Sequence, residues 1–87
     1  MTPESVLKVI TELSSAKGAP KTIDPNMVAR ELAGPDSKNW GRMARLLRPV
    51  FVRLAQDGSI ELIRKGKVAD PAGLRGVYRL RLTHAVN

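Results

Sequence analysis

Residues 61–82, ELIRKGKVADPAGLRGVYRLRL, are where the chain changes its period. Ile60 and Leu62 fall on one face of a strand, and Tyr78, Leu80 and Leu82 on one face of another. Glu61, Arg79 and Arg81 fall on the opposite faces, so the period is two and two strands are predicted. The connection from about Lys65 to Gly76 contains Gly66, Pro71, Gly73 and Gly76; it is too long for a tight hairpin turn and reads as a projecting loop. Six of the twenty-two residues are Arg or Lys. A solvated surface needs charge, but not charge this one-sided.

Upstream of this stretch the spacing is helical. A third helix is predicted from Asp36 or Ser37 to about Asp57, with Gly58 as its stop. On a wheel of about 100° per residue, Trp40, Met43, Leu47, Val50, Phe51 and Leu54 share one side. Lys38, Arg42, Arg45 and Arg53 cluster opposite, flanked by Arg48. Pro49 removes the bond to the Arg45 carbonyl, at about 3 kcal/mol. Either the helix bends around the core there, or a short helix over 37–45 is followed by a second one near Leu47. Earlier still, Asp24-Pro25 opens a second helix whose stripe is Met27, Val28 and Leu32, stopped by Gly34-Pro35. Thr2-Pro3, with Glu4 in the first turn, opens a first helix with Val6, Val9, Ile10 and Leu13 on its apolar side, ended by Ser14, Ser15 and Gly18. Between these two, residues 21–23 suit a brief edge strand.

The order helix, short strand, helix, tight turn, helix, strand, loop, strand is that of a winged helix-turn-helix. The expected fold is therefore α+β: a three-helix core, a short edge strand and a C-terminal β-hairpin wing. Residues 1–82 would make a single domain and 83–87 a frayed tail.

Composition narrows the function. The 87 residues carry a formal charge of +7. Residues 1–36 hold four cations against five anions, a balance of −1, and residues 37–87 hold eleven against three, a balance of +8. The whole excess lies in the C-terminal half, a sign asymmetry that points to an anionic partner. There is no Cys, so disulfides and thiolate metal sites are excluded, and a reducing compartment, the cytoplasm, is the expected location. No apolar run is long enough for a membrane span, and the N-terminus lacks the order of a secretory signal.

MVARELAGPDSKNWGRM and RLAQDGSIELIRKGKVADPAGLRGVYRLRL together resemble a small bacterial family of winged-helix-like domains of unknown function. The likeness runs from about Asp24 to Leu82. Its most specific pieces are Gly34-Pro35-Asp36 with Trp40, and Arg64-Lys65-Gly66 leading to Asp70-Pro71 and Arg75-Gly76. The resemblance implies a fold and carries no activity or site. The ending YRLRLTHA is similar in style to the wing strands of bacterial winged-helix repressors.

Two sets of cations are candidates for contact with an anionic partner. On the third helix they are Arg42, Arg45 and Arg48, with Lys38 and Asn39 (beside Ser37) at its start. On the wing they are Arg64, Lys65, Lys67 and Arg75. A charge run is usually a solvated face, but no acid intervenes between Asp36 and Asp57, and like charges three or four apart repel. Arginine can fork onto a phosphate or onto guanine O6 and N7. Asp70-Pro71 reads as turn chemistry, and Arg81 as a cross-strand partner of Glu61 or a ligand contact. Trp40, Phe51 and Tyr78 follow the inward periods and read as core, leaving no stacking platform for single strands.

The lone His84, the scattered acids and the missing nucleophile and phosphate-loop motifs leave nothing for an enzyme or a cofactor. The expectation is a non-enzymatic duplex DNA-binding protein of the transcriptional-regulator kind, with the third helix reading the major groove and the wing on flanking phosphates. A winged-helix adaptor for an acidic protein and a structured-RNA binder are the rivals. Oligomeric state stays open.

Overall fold

The first two helices start by the same device. In the computed structural model, which describes residues 2–16, 18, 22–34, 38–74 and 76–83, α1 spans Pro3–Ser15 and α2 spans Pro25–Ala33. Thr2 accepts from the Ser5 N–H (3.1 Å), and Ser5 Oγ accepts in return from the Thr2 N–H (3.1 Å). This reciprocal box satisfies two helix-end donors, with Ser in the place usually held by Glu or Gln. Asp24 Oδ1 accepts from the Asn26 N–H (2.9 Å). In both helices Pro occupies the first turn, where its missing N–H is harmless.

The third helix, α3, spans Trp40–Gln56 and is continuous through Pro49. Of the two sequence readings, the single helix is the one found. Pro49 and Arg45 both lie on the exposed side, where water can satisfy the carbonyl that a proline leaves unmatched. Leu47, Phe51 and Leu54 are buried on the other side and offset the loss. The helix ends in a Schellman pair: the Gly58 N–H bonds the Ala55 carbonyl (3.1 Å) and the Ser59 N–H bonds the Leu54 carbonyl (2.9 Å). Gly58 makes this possible at φ +81°, a left-handed conformation that a Cβ disfavours. The segment 35–37, where the sequence predicts the turn and the start of α3, lies outside the described residues.

Three antiparallel strands follow: β1 Ile60–Arg64, β2 Lys67–Val68 and β3 Arg79–Leu82, with β1 in the centre. The register pairs Leu62 with Leu80 and Glu61 with Arg81. Ile23 extends the sheet beyond β3 by a single bridge to Leu80, with two bonds of 2.7 and 2.8 Å. The short edge element expected at 21–23 is thus present at Ile23.

The long projecting loop is not found. β1 turns back at once through Lys65-Gly66 into β2, which pairs Arg64 with Lys67. The chain then makes one 3-10 turn, Pro71–Gly73, capped by the Asp70 side chain on the Ala72 N–H (3.0 Å). Ala69 and Leu74 are half-buried against the core, so the connection folds onto the body of the protein. The turn chemistry of Asp70-Pro71 holds.

Val6, Ile10, Ile23, Val28, Ala29, Leu47, Phe51, Leu54, Ile60, Leu62 and Leu80 form one core between the helices and one face of the sheet. Phe51 meets Tyr78 edge to face, centroids 6.3 Å apart. Met27, expected inside, is 43% exposed, and Ala29 is buried instead. The two lie about 200° apart on the helix, so only one can face the core, and a small residue lets α2 approach α3 closely. Trp40, also expected inside, is only half-buried at the first turn of α3, with the Arg30 guanidinium 4.7 Å from its ring centroid. Thr83, expected to open the frayed tail, is tied back: its hydroxyl donates to the Ser59 carbonyl (3.0 Å). The architecture is three helices followed by a small antiparallel sheet, an α+β arrangement compatible with a winged helix.

Candidate nucleic-acid interface

The apolar stripe of α3 fixes which of its cations face outward. With Leu47, Phe51 and Leu54 buried, Arg42 and Arg45 are exposed, as are Lys38 and Asn39 at the helix start. On the sheet, Lys65 and Lys67 are exposed at the β1–β2 turn, and Arg64 is half-buried just before it. Arg75 and Ser37 lie outside the described residues.

The turn itself is unusual. Lys65 sits at φ +52° and Gly66 at φ +78°. Two successive positive φ angles between paired strands make a type I′ hairpin, whose preferred dipeptide is Asn-Gly. A long cationic side chain therefore stands where Asn would be more comfortable.

The remaining cations divide into tied and untied. Arg79 donates to Thr22 Oγ1 (2.6 Å) and to the Thr22 carbonyl (3.1 Å), which fastens the edge segment to β3. Arg81 donates twice to Glu61 Oε1 (3.0 and 2.7 Å), so the cross-strand partnership is the one adopted. Arg53 reaches Asp57 at 3.9 Å, an exposed pair of little energetic weight. Arg48 is half-buried and donates to the Leu74 carbonyl (2.7 Å), with its guanidinium 5.6 Å from the Tyr78 ring centroid. By contrast, among the described residues, Lys38, Arg42, Arg45, Arg64, Lys65 and Lys67 have no ion-pair or side-chain hydrogen-bond partner.

The helix and the sheet meet at one place. A groove of about 280 Å³ is lined by Asp24, Pro25 and Asn26 of α2 and its cap, by Ala44, Arg45 and Arg48 of α3, and by Gly76, Val77 and Tyr78 leading into β3. Arg64 reaches the same wall: a β-carbon built on Gly76 would lie 3.2 Å from its guanidinium. Arg45 and Arg48 of α3, which line the groove with Gly76, and Arg64 of β1, which abuts Gly76, thus approach the same residue. Asp24 is the acid lining that groove, and its carboxylate is engaged with the Asn26 N–H rather than with an arginine. Burial pushes the Tyr78 phenol above its usual pKa of 10.0, opposed by the positive charge of Arg48.

The sequence did not single out Asn26 and Val77 of this groove. Val77 is 87% exposed and Asn26 follows a helix cap, and neither carries a local signal, because the groove joins elements some fifty residues apart in the chain. Among the described residues there is no group of three His, Cys, Asp or Glu placed to hold a metal ion. No helix among them is long and apolar enough to cross a membrane.

A comparison with curated proteins finds no match. The family described as "Protein of unknown function (DUF3253)" matches over residues 3–83, which takes in α1 as well as the stretch whose motifs carry the resemblance. With nearly the whole chain covered, this protein belongs to the DUF3253 family.

Proposed function

We propose that the protein binds double-stranded DNA as a winged helix. In this reading α3 enters the major groove with Arg42 and Arg45 toward the bases, and Lys38 and Asn39 at its leading end. The β1–β2 turn acts as the wing, with Arg64, Lys65 and Lys67 on flanking phosphates. Arg75 belongs to the same segment of sequence. The observation that carries the reading is the set of cations without protein partners on two elements that share a wall at Gly76. Unpaired like charges repel and lower stability, so their persistence on α3 and the adjoining hairpin is best explained by an anionic partner. The task is binding, without a cofactor and without catalysis, and it belongs to the cytoplasm, where DNA is met under reducing conditions.

Two substitutions separate positioning from reading. Lys67→Ala should weaken binding to all duplexes alike and lower the salt slope by about 0.9, as for one lost phosphate contact. Arg42→Ala should cost about 1–3 kcal/mol on a preferred site and relax selectivity at one base pair. Binding titrations on a panel of duplexes check both. If the two variants lose affinity identically on every sequence, α3 is not reading bases. Competition by duplex RNA at equal salt, or partners in a pull-down that survive nuclease treatment without DNA retention, would favour RNA or an acidic protein instead.

Lys65 offers a further check. Lys65→Asn installs the preferred residue of a type I′ turn and is expected to stabilise the fold by relieving part of the roughly 1–3 kcal/mol that a non-Gly residue in this conformation costs. It should also weaken duplex binding severalfold by removing one phosphate contact. Thermal melting and a binding titration on the same variant reveal whether the two effects run in opposite directions.

A further inference from the structure

Among the basic residues of α3, Arg48 differs from Arg42 and Arg45 in where its guanidinium goes. It points along the protein surface to the segment 74–78, which returns the chain from the 3-10 turn to β3. One end of that segment gives it a carbonyl, Leu74 O at 2.7 Å, and the other gives it a ring, Tyr78 at 5.6 Å. Between them lies Gly76, against which the Arg64 guanidinium rests.

Besides the packing of Ala69, Leu74 and Tyr78 against the core, few hydrogen bonds hold the stretch 69–74 among the described residues. Ala69 bonds the Leu62 carbonyl (2.7 Å), and Gly73 and Ala72 bond only Asp70. Among the described residues, the bond from Arg48 is the hydrogen bond that joins 65–78 to α3. The groups facing the guanidinium are a carbonyl and an aromatic ring, and no carboxylate pairs with it among the described residues. A planar fork that donates at its edge while lying over a ring is a task that an ammonium point charge does not reproduce.

We propose that Arg48 is a positioning residue of the DNA-binding surface, a latch that holds the returning segment, and through Gly76 and Arg64 the basic β1–β2 turn, at a fixed place beside α3. It is not itself a phosphate contact. This inference rests on the duplex DNA reading above, but half of its test is independent of DNA.

The test compares Arg48→Met, which keeps the stem and loses the donors and charge, with Arg48→Lys, which keeps the charge. Amide hydrogen exchange is measured in the free full chain. In both variants the hydrogen-bonded amides of Ala69, Ala72 and Gly73 are expected to exchange about tenfold faster, the effect of losing a hydrogen bond from a charged donor, with α1 unchanged. The phenol of Tyr78, the one tyrosine in the chain, should titrate at higher pH in Arg48→Met. Unchanged exchange over these amides, or an equal acceleration throughout the protein, would overturn the latch.

The second half is a double-mutant cycle on duplex DNA. The joint penalty of Lys65→Ala and Lys67→Ala is expected to shrink severalfold in the Arg48→Met background, because an unlatched turn no longer presents those lysines. Equal penalties in both backgrounds, or full restoration of affinity by Arg48→Lys, would make Arg48 an ordinary phosphate contact and overturn the proposal. Wild-type protein that fails to bind any duplex would refute the DNA reading, and the exchange experiment would then decide the latch alone.

Discussion

Phe51→Ala is expected to bring the domain close to unfolding. Phe51 has no exposed surface, packs among Ile10, Leu47, Leu80 and their neighbours, and meets the Tyr78 ring edge to face. Truncating a buried Phe removes its transfer energy and leaves a cavity, together about 3–5 kcal/mol. A domain of this size has a total stability of roughly 4–13 kcal/mol. Thermal unfolding followed by circular dichroism should therefore show a midpoint lower by roughly 12–40 °C. Met27→Ala, on the same scale, should move it by only a few degrees, because that side chain is 43% exposed. A small shift at Phe51 together with a large one at Met27 would mean that α2 and α3 are packed the other way round.

The parts of the fold that were legible in the sequence are those decided locally. Thr2-Pro3 and Asp24-Pro25 place helix starts because a cap and its first-turn proline act within four residues. Gly58 ends α3 for a similar reason, and the alternation at 60–62 and 78–82 survives because one sheet face is buried. Arg81 could be paired with Glu61 because cross-strand registry follows from that alternation.

The parts that were not legible depend on which element covers which. Lys65-Gly66 does not announce a two-residue turn, since the first position usually belongs to Asn, Asp or Gly, so a tight hairpin and a docked 3-10 turn looked like one long loop. Met27 and Ala29 are both apolar, and only the closeness of α2 to α3 selects Ala29. Trp40 carried the largest apolar ring in the chain, but its place in the first turn of α3 leaves it at the margin, where Arg30 covers it. For the candidate site, the wheel correctly turned Arg42 and Arg45 outward. It placed Arg48 on the flank, but the wheel alone does not show that Leu74 and Tyr78 occupy that flank.

The divided fates of the basic residues give the account its physical content. Arg30, Arg48, Arg79 and Arg81 are engaged with a ring, carbonyls, a hydroxyl or a carboxylate of the same chain. Among the described residues Lys38, Arg42, Arg45, Arg64, Lys65 and Lys67 are not, and they lie just ahead of α3, on α3 and on the β1–β2 hairpin, while Lys8 of α1 is the further cation without a partner. A protein shaped only for stability would have interleaved acids among them.

The central claim is that these six act together on one polyanion, and the salt dependence of binding to a duplex of mixed sequence tests it most directly. If the four not aimed at bases, Lys38, Arg64, Lys65 and Lys67, each neutralise one phosphate, the logarithm of affinity falls against the logarithm of salt with a slope of about −3.6, a loss on the order of 10²-fold between about 50 and 200 mM. A steep line of that kind, made shallower by Lys67→Ala, is the predicted result. Affinity that is absent at low salt, or that stays flat across the titration, would contradict the account.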